Sequence, residues 1–291
     1  LNLQNLPSRG NNKLRSAIEA PPGHKVLARD SSQIEARMAA WLCGATEMVQ
    51  QFANKEDVYS TFASAVFGYD VNKKDHPVER FVGKTGILGL QYGLGWPKFQ
   101  GTVAMQSKAQ LGQEVLLTDE QASKTVQTYR TRYNAIPRMW RTLESLLPHM
   151  TGTFHHVIGP LTFERRAVLL PSGLKLFYHN LHCDENGQWR FEYAGKPKYI
   201  YGGKLLENIT QALARIVIMD AAVAVRLWAD REGIPIWMNL QVHDELVYVV
   251  PDELVDIVDA KLAEEMDRRP SWAPDLPLAS EMGLGGSFGD T

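Results

Sequence analysis

Two aspartates stand in stretches that are otherwise apolar. Asp30 closes the run KVLARD, and Asp244 sits within IPIWMNLQVHDELVYVV, so each carboxylate hangs on backbone held beside a core. Unpaired charge is costly in such places. Two aspartates brought together on adjacent strands repel unless divalent cations bridge them, and two metals roughly 3.5 to 4 Å apart are the usual device for in-line phosphoryl displacement. Taken singly, each aspartate reads first as an ordinary turn or cap residue.

A second pattern lies in RFVGKTGILGLQYG, where Arg80, Lys84, Leu88 and Tyr92 recur every four residues. Four residues advance a helix by about 400°, which predicts one slowly drifting stripe of two cations, an apolar residue and an aromatic. A triphosphate laid along its first half and a base stacked on its second would use that stripe. An ordinary amphipathic helix with solvated basic residues has the same spacing. The neighbouring Gly83, Gly86, Gly89 and Gly93 weaken an isolated helix by about 1 kcal/mol each relative to Ala, which favours close approach by a ligand or by backbone.

The elements that must position these residues can be read from local pattern. KVLARD (25–30) predicts a strand, and SQIEARMAAWLCG (32–44) a helix stopped by Gly44. Residues 45–150 read mostly helical: DVYSTFASAVFG, then 78–93, then a segment opened by a Thr118 cap and kinked or divided by Pro137. Residues 153–201 alternate in runs (161–170, 174–180, 189–193) separated by PSG and DENG turns, which predicts antiparallel β structure. A long amphipathic helix (202–233) closed by Gly233 follows, then a hairpin with His243, Asp244 and Glu245 at its corner, a helix over 252–267 and a last strand near 278–282. This order predicts an α+β chain with a helical insertion.

Composition bounds the rest. The 291 residues suffice for a real core, and 44% hydrophobic with 22% charged residues fits a globular protein. No stretch approaches the ~18 to 20 apolar residues of a membrane span. Cys43 and Cys183 cannot build a disulfide framework, and a reducing compartment is the simplest reading. The net charge of −2 gives no general basic footprint, so any nucleic acid must be held by a local stripe. The opening LNLQNLPSRG carries no initiator Met and no signal-peptide pattern, and reads as cut from something longer.

Three segments, DSSQIEAR (30–37), RFVGKTGILGLQYG (80–93) and QVHDELV (241–247), resemble motifs A, B and C of the family A DNA polymerases, in the right order. NLQNLPSR (2–9) and the closing strand match as well, and DSSQIEAR, the PSG turn at 171–173 and YGGKLLENITQALAR have a phage flavour. The resemblance implies an antiparallel-sheet palm (1–40 and 151–291) with an inserted helical fingers subdomain (41–150). It also implies template-directed DNA synthesis: dNTPs are added to a primer 3′ end by two-metal phosphoryl transfer, with two Mg²⁺ (Mn²⁺ as a possible substitute) and primer–template DNA as partner.

By resemblance, Asp30 and Asp244 would hold the metals with the carbonyl of Ser31. Glu35 would be the gate that crowds a ribose 2′-OH. Arg80 and Lys84 would bind the triphosphate, Lys84 also giving a proton to pyrophosphate. Gln33, Leu88, Tyr59 and Tyr92 would line the nucleotide site, and Gln211, His243 and Arg37 would touch DNA. Leu88 stands where the family usually has Phe or Tyr, and Tyr59 where it commonly has His. A thumb and an upstream arginine are expected to lie outside this chain, which makes a thumb-bearing polypeptide, in trans or as a missing N-terminal part, an expected partner; no exonuclease domain fits. The expected location is a bacterial or phage-infected cytoplasm. Two rivals remain: a single-subunit RNA polymerase, which Glu35 argues against, and a non-catalytic palm-like DNA-binding or assembly subunit, which both aspartates and both cations argue against.

Overall fold

The computed structural model describes residues 13–291; the NLQNLPSR segment lies outside the described residues. In chain order the first elements are α1 (Lys13–Ser16), β1 (His24–Ser31), α2 (Ile34–Cys43), α3 (Thr46–Ala53), α4 (Val58–Phe67), α5 (Pro77–Leu90), α6 (Trp96–Leu111), α7 (Asp119–Arg132) and α8 (Ala135–Leu146). Seven short strands follow: β2 (His155–Ile158), β3 (Leu161–Glu164), β4 (Ala167–Leu169), β5 (Lys175–Phe177), β6 (His179–Cys183), β7 (Trp189–Tyr193) and β8 (Lys196–Tyr199). Then come α9 (Gly202–Glu232), β9 (Trp237–Val242), β10 (Glu245–Pro251), α10 (Val255–Met266) and β11 (Ser280–Gly285). The fold is α+β. The chain forms two compact units, one of residues 1–34 with 214–291 and one of residues 35–213, so α9 is shared between them. The sequence boundaries at 40/41 and 150/151 mark changes in local character and differ from these contact boundaries.

The first unit is built on a four-stranded antiparallel sheet in the order β11–β1–β10–β9. Its inner strand β1 is buried over Val26, Leu27, Ala28 and Arg29 without the alternation of a half-solvated antiparallel strand, so both faces of this strand are covered there. Val26 and Ala28 pack with Val242, Val247 and Phe288. A buried guanidinium must be paired, and Arg29 is: Nη1 meets Asp259 of α10, and Nε donates to the Ser280 hydroxyl at 2.8 Å. The pairing with β10 runs to Asp30 opposite Glu245, and that with β11 to Ser31 opposite Ser280.

The second unit combines the helices α2–α8 with two separate antiparallel sheets, β2–β3–β4–β5 and β6–β7–β8. Thr118 and Gln121 form a reciprocal capping box that starts α7. The helical stretch divides at Tyr133–Asn134 and not at Pro137. That proline lies in the first turn of α8, where its missing N–H would have had no intrahelical acceptor. The run 161–170 is likewise a hairpin, β3 and β4, turning at Arg165–Arg166 with Arg166 at φ 54°, a turn that no glycine or proline announces. Among the described residues no helix is long and apolar enough to cross a membrane.

Candidate active site

In the first unit, antiparallel pairing sets Asp30 directly opposite Glu245, one residue from Asp244. The next ladder bond runs from the Ser31 N–H to the Asp244 carbonyl oxygen, 3.1 Å. Asp30 is exposed, Asp244 half-buried, and Ser31 buried with its hydroxyl unpartnered. Two non-glycine residues flank these carboxylates in the left-handed region, Gln33 at φ 54° and the exposed His243 at φ 54°. Such conformations cost free energy and cluster at functional sites. Glu245 was not singled out from sequence, though its adjacency to Asp244 was visible. Burial pushes its carboxyl up to about 7, Arg15 opposing and the Asp30 charge adding to the effect.

In the second unit, Glu35 lies in the first turn of α2 and its carboxylate is held by two donors. The Tyr92 hydroxyl donates to Oε2 at 3.0 Å, and the Gln211 amide to Oε1 at 3.4 Å. Burial, followed by the charge of Glu35, pushes the Tyr92 phenol far up, so it stays a neutral donor. The four-residue stripe holds for Arg80, Lys84 and Leu88 only. The helix ends at Leu90, and Tyr92 sits in the following turn, closed by Gly93 at φ 88°. The start of α9 presses on that turn: a Cβ at Gly203 would lie 2.4 Å from the Tyr92 carbonyl oxygen.

Arg80 is committed to a local fork. Its Nε donates to Asp57 Oδ2 at 2.6 Å and Nη2 to Oδ1 at 3.2 Å, while the guanidinium lies 5.4 Å from the ring centre of Tyr59. Asp57 is also the N-cap of α4, accepting from the Ser60 N–H at 3.3 Å and the Ser60 hydroxyl at 2.8 Å. Lys84 and Leu88, both half-buried, line a cleft of about 320 Å³ with Thr102 and Gln106 of α6. Tyr59 is 5% exposed. Arg37 is 6% exposed, its guanidinium over Phe52 at 4.6 Å. The glycines of α5 face protein: a Cβ at Gly83 would lie 2.3 Å from the Tyr59 carbonyl oxygen, and one at Gly86 2.6 Å from the Phe62 ring. Close approach by backbone and ring, both from α4, accounts for these two, whereas a Cβ at Gly89 would meet only the Leu94 side chain, and Gly89 lines the cleft beside Lys84 and Leu88.

The family model described as DNA polymerase family A matches residues 1–149, just over half of the chain and including two of the three motifs. The chain belongs to DNA polymerase family A. This family A chain is 31% identical over 295 residues to the DNA polymerase of Bacillus phage SP02, covering 92% of the chain and 42% of that protein. It is 28% identical over 289 residues to DNA polymerase I of Pseudomonas aeruginosa, covering 99% of the chain and 27% of that protein. The chain therefore spans less than half the length of these relatives. Its fold is similar to the POL domain of Pol1 from M. smegmatis, solved in complex with DNA primer-template and dNTP. The TM-score is 0.73 at 22% identity, over 99% of this chain and 45% of that one.

Proposed function

We propose that this family A chain carries out template-directed DNA synthesis, adding dNTPs to a primer 3′ end by two-metal phosphoryl transfer. The observation that carries the reading is the hydrogen-bonded juxtaposition of Asp30–Ser31 with Asp244, which sets two aspartates on neighbouring rigid segments. The two aspartate carboxylates are a donor set that fits magnesium, which takes one or two carboxylates and completes its shell with water and substrate phosphate oxygens. Asp30, Asp244 and the Ser31 carbonyl would hold two Mg²⁺, or Mn²⁺ in substitution, and the ions would supply neutralisation of charge on the transferring phosphoryl group.

The chain's own residues would do the positioning that phosphoryl transfer asks of a protein. Arg80 and Lys84 would engage the triphosphate, and the Lys84 ammonium would give a proton to the departing pyrophosphate oxygen. Glu35, held by Tyr92 and Gln211, would crowd a ribose 2′-OH. Leu88 and Tyr92 would border the base, with Gln33 and Tyr59 supporting that pocket. Gln211 and His243 would contact the primer–template, as would Arg37, whose guanidinium packs over Phe52. A thumb-bearing segment, in cis or in trans, would share the grip on the duplex, and the cytoplasm of a bacterium or of its phage-infected counterpart would be the place of action.

The test is primer extension with Mg²⁺ and each dNTP, using the chain and its Asp30→Ala and Asp244→Ala variants. Incorporation that follows the template and disappears in both variants supports the reading. Absence of incorporation with every primed template, with or without a thumb-bearing partner, would favour the non-catalytic subunit, and preference for rNTPs the RNA polymerase.

A further inference from the structure

We propose that the groove formed by β5 and β6, the β7–β8 hairpin and the start of α9 is a binding site for single-stranded DNA. The groove encloses about 1000 Å³. Strand pairing sets Phe191 opposite Lys198 and Tyr193 opposite Lys196, and the two-residue period puts Phe191 and Tyr193 on one face of the hairpin. Across from them Phe177 stacks on His179, with ring centres 5.6 Å apart and planes at 11°.

Three of the lining aromatics are strongly exposed: Phe177 at 56%, Tyr193 at 65% and Tyr199 at 53%. Single exposed aromatics are ordinary on a protein surface, but several facing one groove mark an interaction site. The floor beneath them is ordered. The Tyr178 hydroxyl accepts from the Asn208 amide at 3.3 Å, and its ring meets Phe191 edge-on at 5.1 Å.

The charge of the lining selects the occupant. Lys175, Lys198 and Lys204 line the groove and no carboxylate does. Lys175 reaches out to Glu164 at 2.5 Å and Lys204 to Glu207 at 2.8 Å, but both lysines are more than a third exposed, and such pairs are weak enough to exchange for phosphates. In a chain of net charge −2 this is a local basic stripe. Lysine is depleted where proteins meet proteins, whereas exposed aromatic faces interleaved with cations are what unpaired bases on a phosphate backbone require. A duplex keeps its bases stacked and offers these rings nothing.

Gln211 lines the same groove and donates to Glu35, so the Glu35–Tyr92 cluster adjoins the groove at that residue. The choice of DNA over RNA rests on the function proposed above. The stacking and charge argument does not.

The experiment uses the whole chain with dye-labelled oligo(dT) or oligo(U) of about ten nucleotides, a length typical of single-strand sites. Anisotropy is read in chelator without dNTP. Phe177→Ala and Tyr193→Ala, both at exposed positions, should each weaken oligo(dT) binding by about tenfold while leaving the thermal midpoint within a few degrees of the parent. Replacing Lys175, Lys198 and Lys204 together by Gln should reduce the slope of log affinity against log salt by about 2. Photocrosslinks from bromodeoxyuridine should map to the β5–β8 segment. Unchanged affinity in the aromatic variants, crosslinks elsewhere, or tighter binding of oligo(U) would overturn the proposal. Incorporation by Asp30→Ala is measured separately, so failure of the polymerase reading would appear there and not in oligonucleotide binding.

Discussion

The backbone N–H of Ser31 donates to the carbonyl oxygen of Asp244 at 3.1 Å, which ties the end of β1 to the turn before β10. The two aspartates are thus carried by one ladder, and neither side chain is needed to form it. Replacing Asp30 or Asp244 by Ala should leave the thermal midpoint within a few degrees of the parent while lowering nucleotide incorporation by about a thousandfold or more, since a metal pair supplies several kcal/mol to the transition state. Retention of more than a few per cent activity by either variant would sink the two-metal assignment.

Glu35 and Tyr92 share a 3.0 Å hydrogen bond, so the proposed sugar gate is held by a phenol 57 residues away. Glu35→Ala should raise the ratio of rNTP to dNTP incorporation by removing the steric block at the 2′ position. Tyr92→Phe keeps the ring and deletes the donor, leaving Gln211 as the other donor, and should raise that ratio by less. A ratio that moves in neither variant would place the gate elsewhere.

Asp57 grips Arg80, and its titration gives a pH signature. Burial pushes the Asp57 carboxyl up, but the hydrogen bonds from Arg80 and Ser60 and the Arg80 charge outweigh it and hold the carboxyl below the usual range. A depressed carboxylate stabilises the fold above its unfolded value of about 3.9 and loses that contribution as pH falls through the lower folded value. The stability gap between the parent and Asp57→Asn should therefore be full at about pH 6 and close progressively below about pH 4. Asp57→Asn should also raise the KM for dNTP by loosening Arg80. A gap independent of pH over that interval would show that the fork contributes nothing through its charge.

Glycines in two helices should respond in opposite directions. Gly86→Ala in α5 drives a methyl into the fully buried Phe62 ring, and overpacking of this kind costs about 1 to 3 kcal/mol. Gly101→Ala in α6 meets nothing within 4 Å and should stabilise by about 0.5 to 1 kcal/mol through helix propensity and a less flexible unfolded chain. Urea denaturation of both variants measures the two signs. A neutral Gly86→Ala would show that α4 and α5 can separate without penalty.

What the sequence alone determined is what depends on neighbours along the chain. The apolar run into Asp30, the Thr118 cap, the Gly44 and Gly233 stops and the hairpin around His243–Asp244 are written in periods of 2 and 3.6 and in turn chemistry, and they recur in the structure. Motif order and spacing sufficed for the family. The tertiary structure alone decided which groups face one another. Glu35 meets Gln211 across 176 residues, Arg80 meets Asp57, and Asp30 faces Glu245, because strand register and helix packing minimise exposed apolar area over the whole unit and no local pattern encodes their outcome. Tyr92 shows the limit most clearly. Its four-residue spacing from Leu88 obeys the helical period, yet α5 ends two residues before it, in a turn that α9 covers so closely that position 203 has no room for a side chain.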